Sequence, residues 1–126
     1  MVAEFTEADV DRLLRDPGIV RHGGKIEAVV NSARRAVDLA AEEGSPAAFS
    51  WRSEPGPDEA DVPQTVSTSP ASVALSEDLK KRGWKFVGPT TVFAFMQAMG
   101  LVNDHTAECV IRSRVEAERS VLTRPR

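Results

Sequence analysis

The chain is short of the residues that staple a fold or carry nucleophilic catalysis. Its one cysteine, Cys109, excludes an internal disulfide and fits a reducing cytoplasm. Two histidines, His22 and His105, and no serine motif leave no Ser-His-Asp order to defend. No run reaches the roughly 18 apolar residues that span a bilayer, and Met1 to Glu7 lacks the basic-then-apolar pattern of a signal peptide. These absences predict a soluble cytoplasmic protein without a membrane role. No carboxylate pair stands out for acid–base work, because Glu and Asp fall on polar helix faces or in a loop. No strand alternation, internal repeat or low-complexity run competes with the helical periodicity, so the expected fold is all-α. At 126 residues the chain is one domain at most.

The net charge of −3 argues against a general nucleic-acid binder, but the charge is uneven. Residues 1–62 hold 13 acidic and 7 basic side chains, whereas residues 63–126 hold 6 acidic and 9 basic. Lys80, Lys81, Arg82 and Lys85 form the densest basic cluster. A local patch of this kind on an acidic protein binds phosphate while limiting non-specific association. The plainer reading is a solvated helix end favoured by the helix dipole.

Capping signals divide the chain. Thr6, with Asp9 in the capping-box position, predicts a helix over 7–15 that Asp16-Pro17-Gly18 stops. A second helix is expected over 24–43, with Ile26, Val29, Val30, Ala33, Val37 and Ala40 as its apolar stripe and Gly44 as a left-handed cap. Residues 44–69, with four prolines, read as a long surface loop. Ser69-Pro70 opens a third helix whose apolar face is Val73, Ala74, Leu75 and Leu79, closed by Gly83. Helix 89–99 is apolar nearly all round and is expected at the buried centre. A last helix over about 104–121 turns charged after Ile111, and 110–126 form a charged extension that frays into Arg124-Pro125-Arg126.

The most informative stretch joins the third of these helices to the fourth. Phe86-Val87-Gly88-Pro89-Thr90-Thr91-Val92 follows a helix end and opens an apolar helix, the pattern of a helix-hairpin-helix element over 79–100. Free N–H groups at such a helix start receive an anion, and this grips a DNA phosphate without reading sequence. Gly88 is expected to supply unusual backbone geometry and close approach. Gly88, Thr90, Thr91 and Lys85 are the candidate phosphate contacts, with Lys80 and Lys81 supporting. A Gly-Pro turn between helices also occurs as a turn alone.

Three other constellations carry less. His105 and Cys109, four apart on an expected helix, would make half of a tetrahedral zinc site; only His22 remains as a further nitrogen or sulfur ligand, too few for the usual four, so the plainer reading is an exposed histidine and a half-buried thiol. The Gly-rich turn from Gly18 to Ile26, with Arg21 and Lys25, follows no strand and reads mainly as a turn. Trp51 and Trp84 either stack on bases or pack the core.

Lys80 to Gly88 and Gly100-Leu101-Val102-Asn103-Asp104-His105 resemble the 3-methyladenine DNA glycosylase I family closely. Phe5 to Leu14, Pro17 to His22, Lys25 to Ala28 and Phe49-Ser50-Trp51 are similar to its middle section. The resemblance implies an all-α helix-hairpin-helix glycosylase-like domain, incomplete at its N-terminus, that acts on double-stranded alkylated DNA. The family excises 3-methyladenine, a base whose methylation makes it a good leaving group. The enzyme flips the nucleotide out, holds the base by stacking and a carboxylate, and admits water. In the family the carboxylate, the stacking aromatics and two zinc ligands lie in an N-terminal part without a counterpart here. His105 and Cys109 match the second zinc pair. The catalytic residues are therefore unassigned, and Asp104 reads as a helix cap rather than a water-polarising group. The alternative reading is a non-catalytic DNA-binding or interaction module. An uncovered face of helix 89–99 is expected to make the chain marginally stable or self-associating.

Overall fold

In a computed structural model, which describes residues 1–59 and 62–126, every regular element is helical. A single 3-10 turn, Val2–Glu4, precedes α1 (Glu7–Leu14). Asp9 accepts the Thr6 backbone N–H at 3.0 Å, as the capping pattern predicts. The helix stops one residue before the expected end, with Arg15 as its cap. Asp16 then closes the turn by accepting the Gly18 N–H at 2.8 Å.

The second helix, α2 (Gly23–Glu43), starts at Gly23 because His22 caps it, its Nδ1 accepting the Lys25 N–H at 3.1 Å. The glycine-rich turn is therefore a helix entry whose histidine is already engaged. The expected stripe is only partly right. Ile26 and Val30 are buried, but Val29 and Val37 face solvent, while Ala28 and Leu39 are buried. The burying surfaces are the N-terminal turn, α1 and a short third helix, and their placement sets which face turns inward. Arg34 fastens the N-terminal segment to α2 by donating to the Ala3 and Phe5 carbonyls at 3.0 and 2.9 Å. Gly44 has φ 83 but ψ −44, so it leaves the helix outside the left-handed helical region expected of it.

The expected loop 44–69 contains structure. Helix α3 (Pro46–Trp51) lies within it, opened by Ser45, whose hydroxyl accepts the Ala48 N–H at 2.9 Å. Ala48 and Phe49 are buried, and burial of an aromatic of this size contributes about 2 kcal/mol. A second 3-10 turn follows at Pro57–Glu59; positions 60 and 61 of the expected loop lie outside the described residues.

Ser69-Pro70 opens α4 (Pro70–Lys81) as predicted, with Ser72 completing a reciprocal cap. Its inward face differs from expectation: Val73 and Ala74 are exposed, and Ser72, Leu75 and Ser76 are buried. The two serines tolerate burial because each hydroxyl donates to a carbonyl, Ser72 to Ser69 at 3.0 Å and Ser76 to Val87 at 2.6 Å. Gly83 (φ 84) ends the helix, with Trp84 N–H bonded to Leu79 O and Gly83 N–H to Lys80 O, a Schellman cap.

Helix α5 (Pro89–Ala98) packs against α4 and carries Val92, Phe93 and Met96 into the interior. Met96 is fully buried, in a cluster with Leu39, Phe49, Leu75, Val92 and Leu101. The helix is central, as expected, but not covered all round: Phe95 is 42% and Met99 55% exposed. Gly100 (φ 80) repeats the Schellman cap through Leu101 N–H to Met96 O. The last helix, α6 (Val110–Val121), begins six residues later than the expected start at 104. Residues 101–109 are irregular, and the side chains of Asn103 and Asp104 bond to α6 and α5 instead of capping a helix of their own. No helix among the described residues is long and apolar enough to cross a membrane.

Candidate nucleic-acid interface

Helices α4 and α5 are joined by residues 82–88, and two distant side chains hold this connection. Asn31 of α2 donates to the Gly83 carbonyl at 2.8 Å, and Ser76 of α4 donates to the Val87 carbonyl at 2.6 Å. Both anchors fix the backbone that leads into α5. Neither was predicted, because a single polar residue on a helix gives no local sign of a partner elsewhere in the chain.

Beyond the connection, the first helical bond of α5 runs from Val92 N–H to Gly88 O at 2.9 Å. The N–H groups of Thr90 and Thr91 precede that ladder, and Pro89 has none. Thr90 and Thr91 are exposed. Gly88 has φ −61 and ψ 160, which any residue adopts, so the expected special geometry is absent. A Cβ there would meet nothing within 4 Å. The positive φ values fall instead at Gly83 (84) and Phe86 (55).

The basic cluster divides in two. Lys80, Lys81 and Lys85 are exposed, and among the described residues none of them is in an ion pair. Arg82 is consumed: it reaches Glu42 at 2.9 Å, Glu43 at 2.7 Å and Asp78 at 3.3 Å, and lies over the Phe49 ring at 4.8 Å. Hydrogen bonds from Arg52 and then Arg82 hold the Glu43 carboxyl below its ordinary value. Arg82 thus cross-links α2 to α4, and the three lysines remain exposed.

Trp51 and Trp84 pack against the core, and the Trp84 Nε1 is buried without a hydrogen-bond partner. Neither stands ready to stack on a base.

The Asn103-Asp104-His105 segment follows α5 in the chain. Asp104 does not cap α6, whose N-cap is Cys109. Its two oxygens accept the Gln64 N–H at 2.9 Å and the Gln97 side-chain N–H at 2.7 Å. Asn103 donates to the Arg112 carbonyl at 3.1 Å and to Glu116 at 2.7 Å, while Arg112 donates to the His105 carbonyl. An open cleft of about 570 Å³ lies here, with Glu54, Asn103, Asp104, Arg112 and Arg119 among its walls.

His105 and Cys109 are not on a helix, yet they meet: Cys109 Sγ lies 3.6 Å from His105 Nδ1. Two ligands of one tetrahedral zinc, at about 2.3 and 2.0 Å, stand about 3.5 Å apart. The pair therefore fits half of such a site. Among the described residues no group of three or more His, Cys, Asp or Glu gathers to complete it.

The C-terminal segment is held rather than frayed. Glu54 accepts from Arg124 at 2.8 and 3.0 Å and from Arg119 at 3.0 Å. Arg119 also donates to the Gly100 carbonyl, and Arg124 covers the Trp51 ring at 5.3 Å. The Arg124 hydrogen bond holds the Glu54 carboxyl below its ordinary value, against the opposing effect of burial.

Two helices joined by an anchored turn, with exposed lysines beside it, belong to an all-helical domain. A sequence profile described as methyladenine glycosylase matches residues 1–113. The chain belongs to this family. It is 46% identical to DNA-3-methyladenine glycosylase 1 of Escherichia coli (strain K12) over 113 residues, which cover 86% of this chain and 60% of that protein. It is 40% identical to the DNA-3-methyladenine glycosylase of Haemophilus influenzae over the same shares. Among solved structures, a 3-methyladenine DNA glycosylase I superposes with a TM-score of 0.79 at 42% identity, covering 86% of this chain and 62% of that one. The Staphylococcus aureus enzyme, solved for its recognition of 3-methyladenine, superposes with the same TM-score of 0.79 at 36% identity, covering 88% and 61%. The chain thus spans about three fifths of the length of the relatives it matches. Residues 114–126, which carry Arg119 and Arg124, lie outside the matched region.

Proposed function

We propose that this chain takes part in base-excision repair, as the DNA-gripping portion of an enzyme that hydrolyses the N-glycosidic bond of 3-methyladenine in double-stranded DNA. The observation that carries the reading is the open start of α5, with Gly88, Thr90 and Thr91 facing free space and Lys85 unpaired beside them. Backbone N–H groups at a helix start and a nearby ammonium receive a phosphate oxygen without reading a base. Lys80 and Lys81, at the end of α4, add attraction for the same strand and steer its approach. Gripping the backbone holds the duplex while a damaged nucleotide is extruded. The cost of extrusion is a few kcal/mol and is least for damaged bases.

His105 and Cys109 would hold zinc from one side, and a closed structural site would clamp residues 101–109 to whatever supplies the other two ligands. No chemical step is assigned to that ion. A soluble, cytoplasmic setting accords with this role and with the single free thiol.

A second reading is a DNA-binding module without catalysis. It draws on the cleft beside Asn103, where Glu54 and Asp104 have both oxygens engaged by arginines or amide groups. The two readings separate on base release. The endogenous protein that contains this chain frees 3-methyladenine from methylated duplex under the first reading only. Under both, Lys85→Ala weakens duplex binding and lowers the salt slope by about one counterion. Binding that is insensitive to both salt and this substitution removes the phosphate grip.

A further inference from the structure

The hairpin tip holds a residue in a conformation that its own side chain disfavours. Phe86 has φ 55, where a Cβ crowds the neighbouring carbonyl at a cost of roughly 1 kcal/mol. Gly83 and Gly100 take positive φ without a Cβ and escape that cost. Packing within the chain does not offset it, since the Phe86 ring is 60% exposed. Its neighbours Trp84 and Val87 both pack against the core, and Phe86 is not among the side chains that do.

The backbone that carries the ring is nevertheless held at a defined place. The backbone is anchored before it, at the Gly83 carbonyl, and after it, at the Val87 carbonyl. The buried Ser76 makes the second anchor. Lys85 precedes the ring directly, and Gly88 follows two residues later. Two residues span at most about 7 Å, so the ring lies within reach of groups flanking an anion bound at the start of α5.

We infer that Phe86 is a DNA contact, its ring packing on the apolar face of a deoxyribose beside the phosphate received by Gly88, Thr90 and Thr91. The inference rests on the phosphate reading above. An aromatic covering a sugar excludes water from apolar surface that both partners otherwise expose. Such a contact orients the strand without reading its sequence. Being uncharged, it releases no counterion, which sets it apart from the lysines.

The test is duplex binding by the full 126-residue chain across a salt series, with the melting temperature of each variant measured alongside. Phe86→Gly is the informative change, because glycine accepts φ 55 at no cost. The expected result is binding weaker by about tenfold, a salt slope equal to that of the parent, and a melting temperature equal or higher. Phe86→Ala loses the same affinity, and Phe86→Trp retains it. Parental affinity in Phe86→Gly overturns the inference, whether or not its melting temperature changes. A reduced salt slope in that variant also overturns it, because the contact would then not be apolar. Lys85→Ala serves as the separate control. If it alone weakens binding, the sugar contact falls and the phosphate grip stands; if neither change matters, the grip itself falls.

Discussion

Two groups of cations on this chain are used in opposite ways. At the hairpin, Lys80, Lys81 and Lys85 are exposed and stand clear of the ion pairs around Arg82. At the C-terminus, Arg119 and Arg124 converge on one carboxylate, Glu54, and on backbone carbonyls. Arg82 adjoins the lysines in sequence yet belongs with the second group. The difference follows the side chains themselves. A planar guanidinium donates several bonds in a fixed fork and suits a permanent cross-link, whereas an ammonium on a flexible stem stays hydrated and mobile. Density of positive charge along the chain therefore does not tell which cations are paired; the packing of the helices does.

The sharpest way to break this comparison is to reverse one charge in each group. Lys85→Glu is expected to weaken duplex binding by more than about tenfold near 0.1 M salt while leaving the melting temperature unchanged. Arg124→Glu is expected to do the reverse, with binding within about twofold of the parent and a lower melting temperature. Binding isotherms and thermal scans on both variants decide it. Equal effects on binding would erase the distinction.

A middle-sized effect is expected where fold and grip meet. Ser76→Ala leaves the half-buried Val87 carbonyl without its donor, a loss of about 1–2 kcal/mol. Because that bond sets the entry into α5, duplex affinity should fall with stability. Destabilisation with unaltered binding at a temperature where the variant is folded would mean that the phosphate site does not depend on this anchor.

The smallest effect concerns Glu54. Its carboxyl lies below the ordinary value of 4.5 in the folded chain, chiefly through the Arg124 hydrogen bond. A depressed carboxylate contributes its stability in full above the unfolded value and loses it as pH falls through the lower folded value. The clasp should accordingly hold at neutral pH and weaken progressively below about pH 4.5. Glu54→Gln should cost about 1 kcal/mol at pH 7, roughly 4 °C in melting temperature, and flatten the acid limb of the stability profile. An unchanged acid limb would show that Glu54 does not govern it.

Much of the helical layout was legible because its signals are local. Thr6 with Asp9, Ser69 with Pro70, and the glycines at 83 and 100 each act within one helical turn, and each lies where the structure has a boundary. Helix α3 carries the same Ser-Pro opening at Ser45-Pro46, but the surrounding prolines masked it and its six residues show little periodicity. The start of α6 was misread because Asn103 and Asp104 spend their side chains on distant groups instead of capping a helix. Val29 and Val37 fit the apolar stripe yet face solvent, because several faces of α2 satisfy a helical period and only its packing partners select among them.

The site divides along the same line. The chain alone carried the all-α class, the family and the residue types of the α4–α5 connection, since these depend on residue type and on spacing of a few positions. Tertiary structure alone decided which cations stay free, which serines anchor the backbone, and that Phe86 stands in water. Each of those outcomes is a competition for partners: Ser76 reaches a carbonyl across the α4–α5 turn, and Arg82 finds carboxylates on α2. No reading of neighbours along the chain registers a bond that exists only once helices pack.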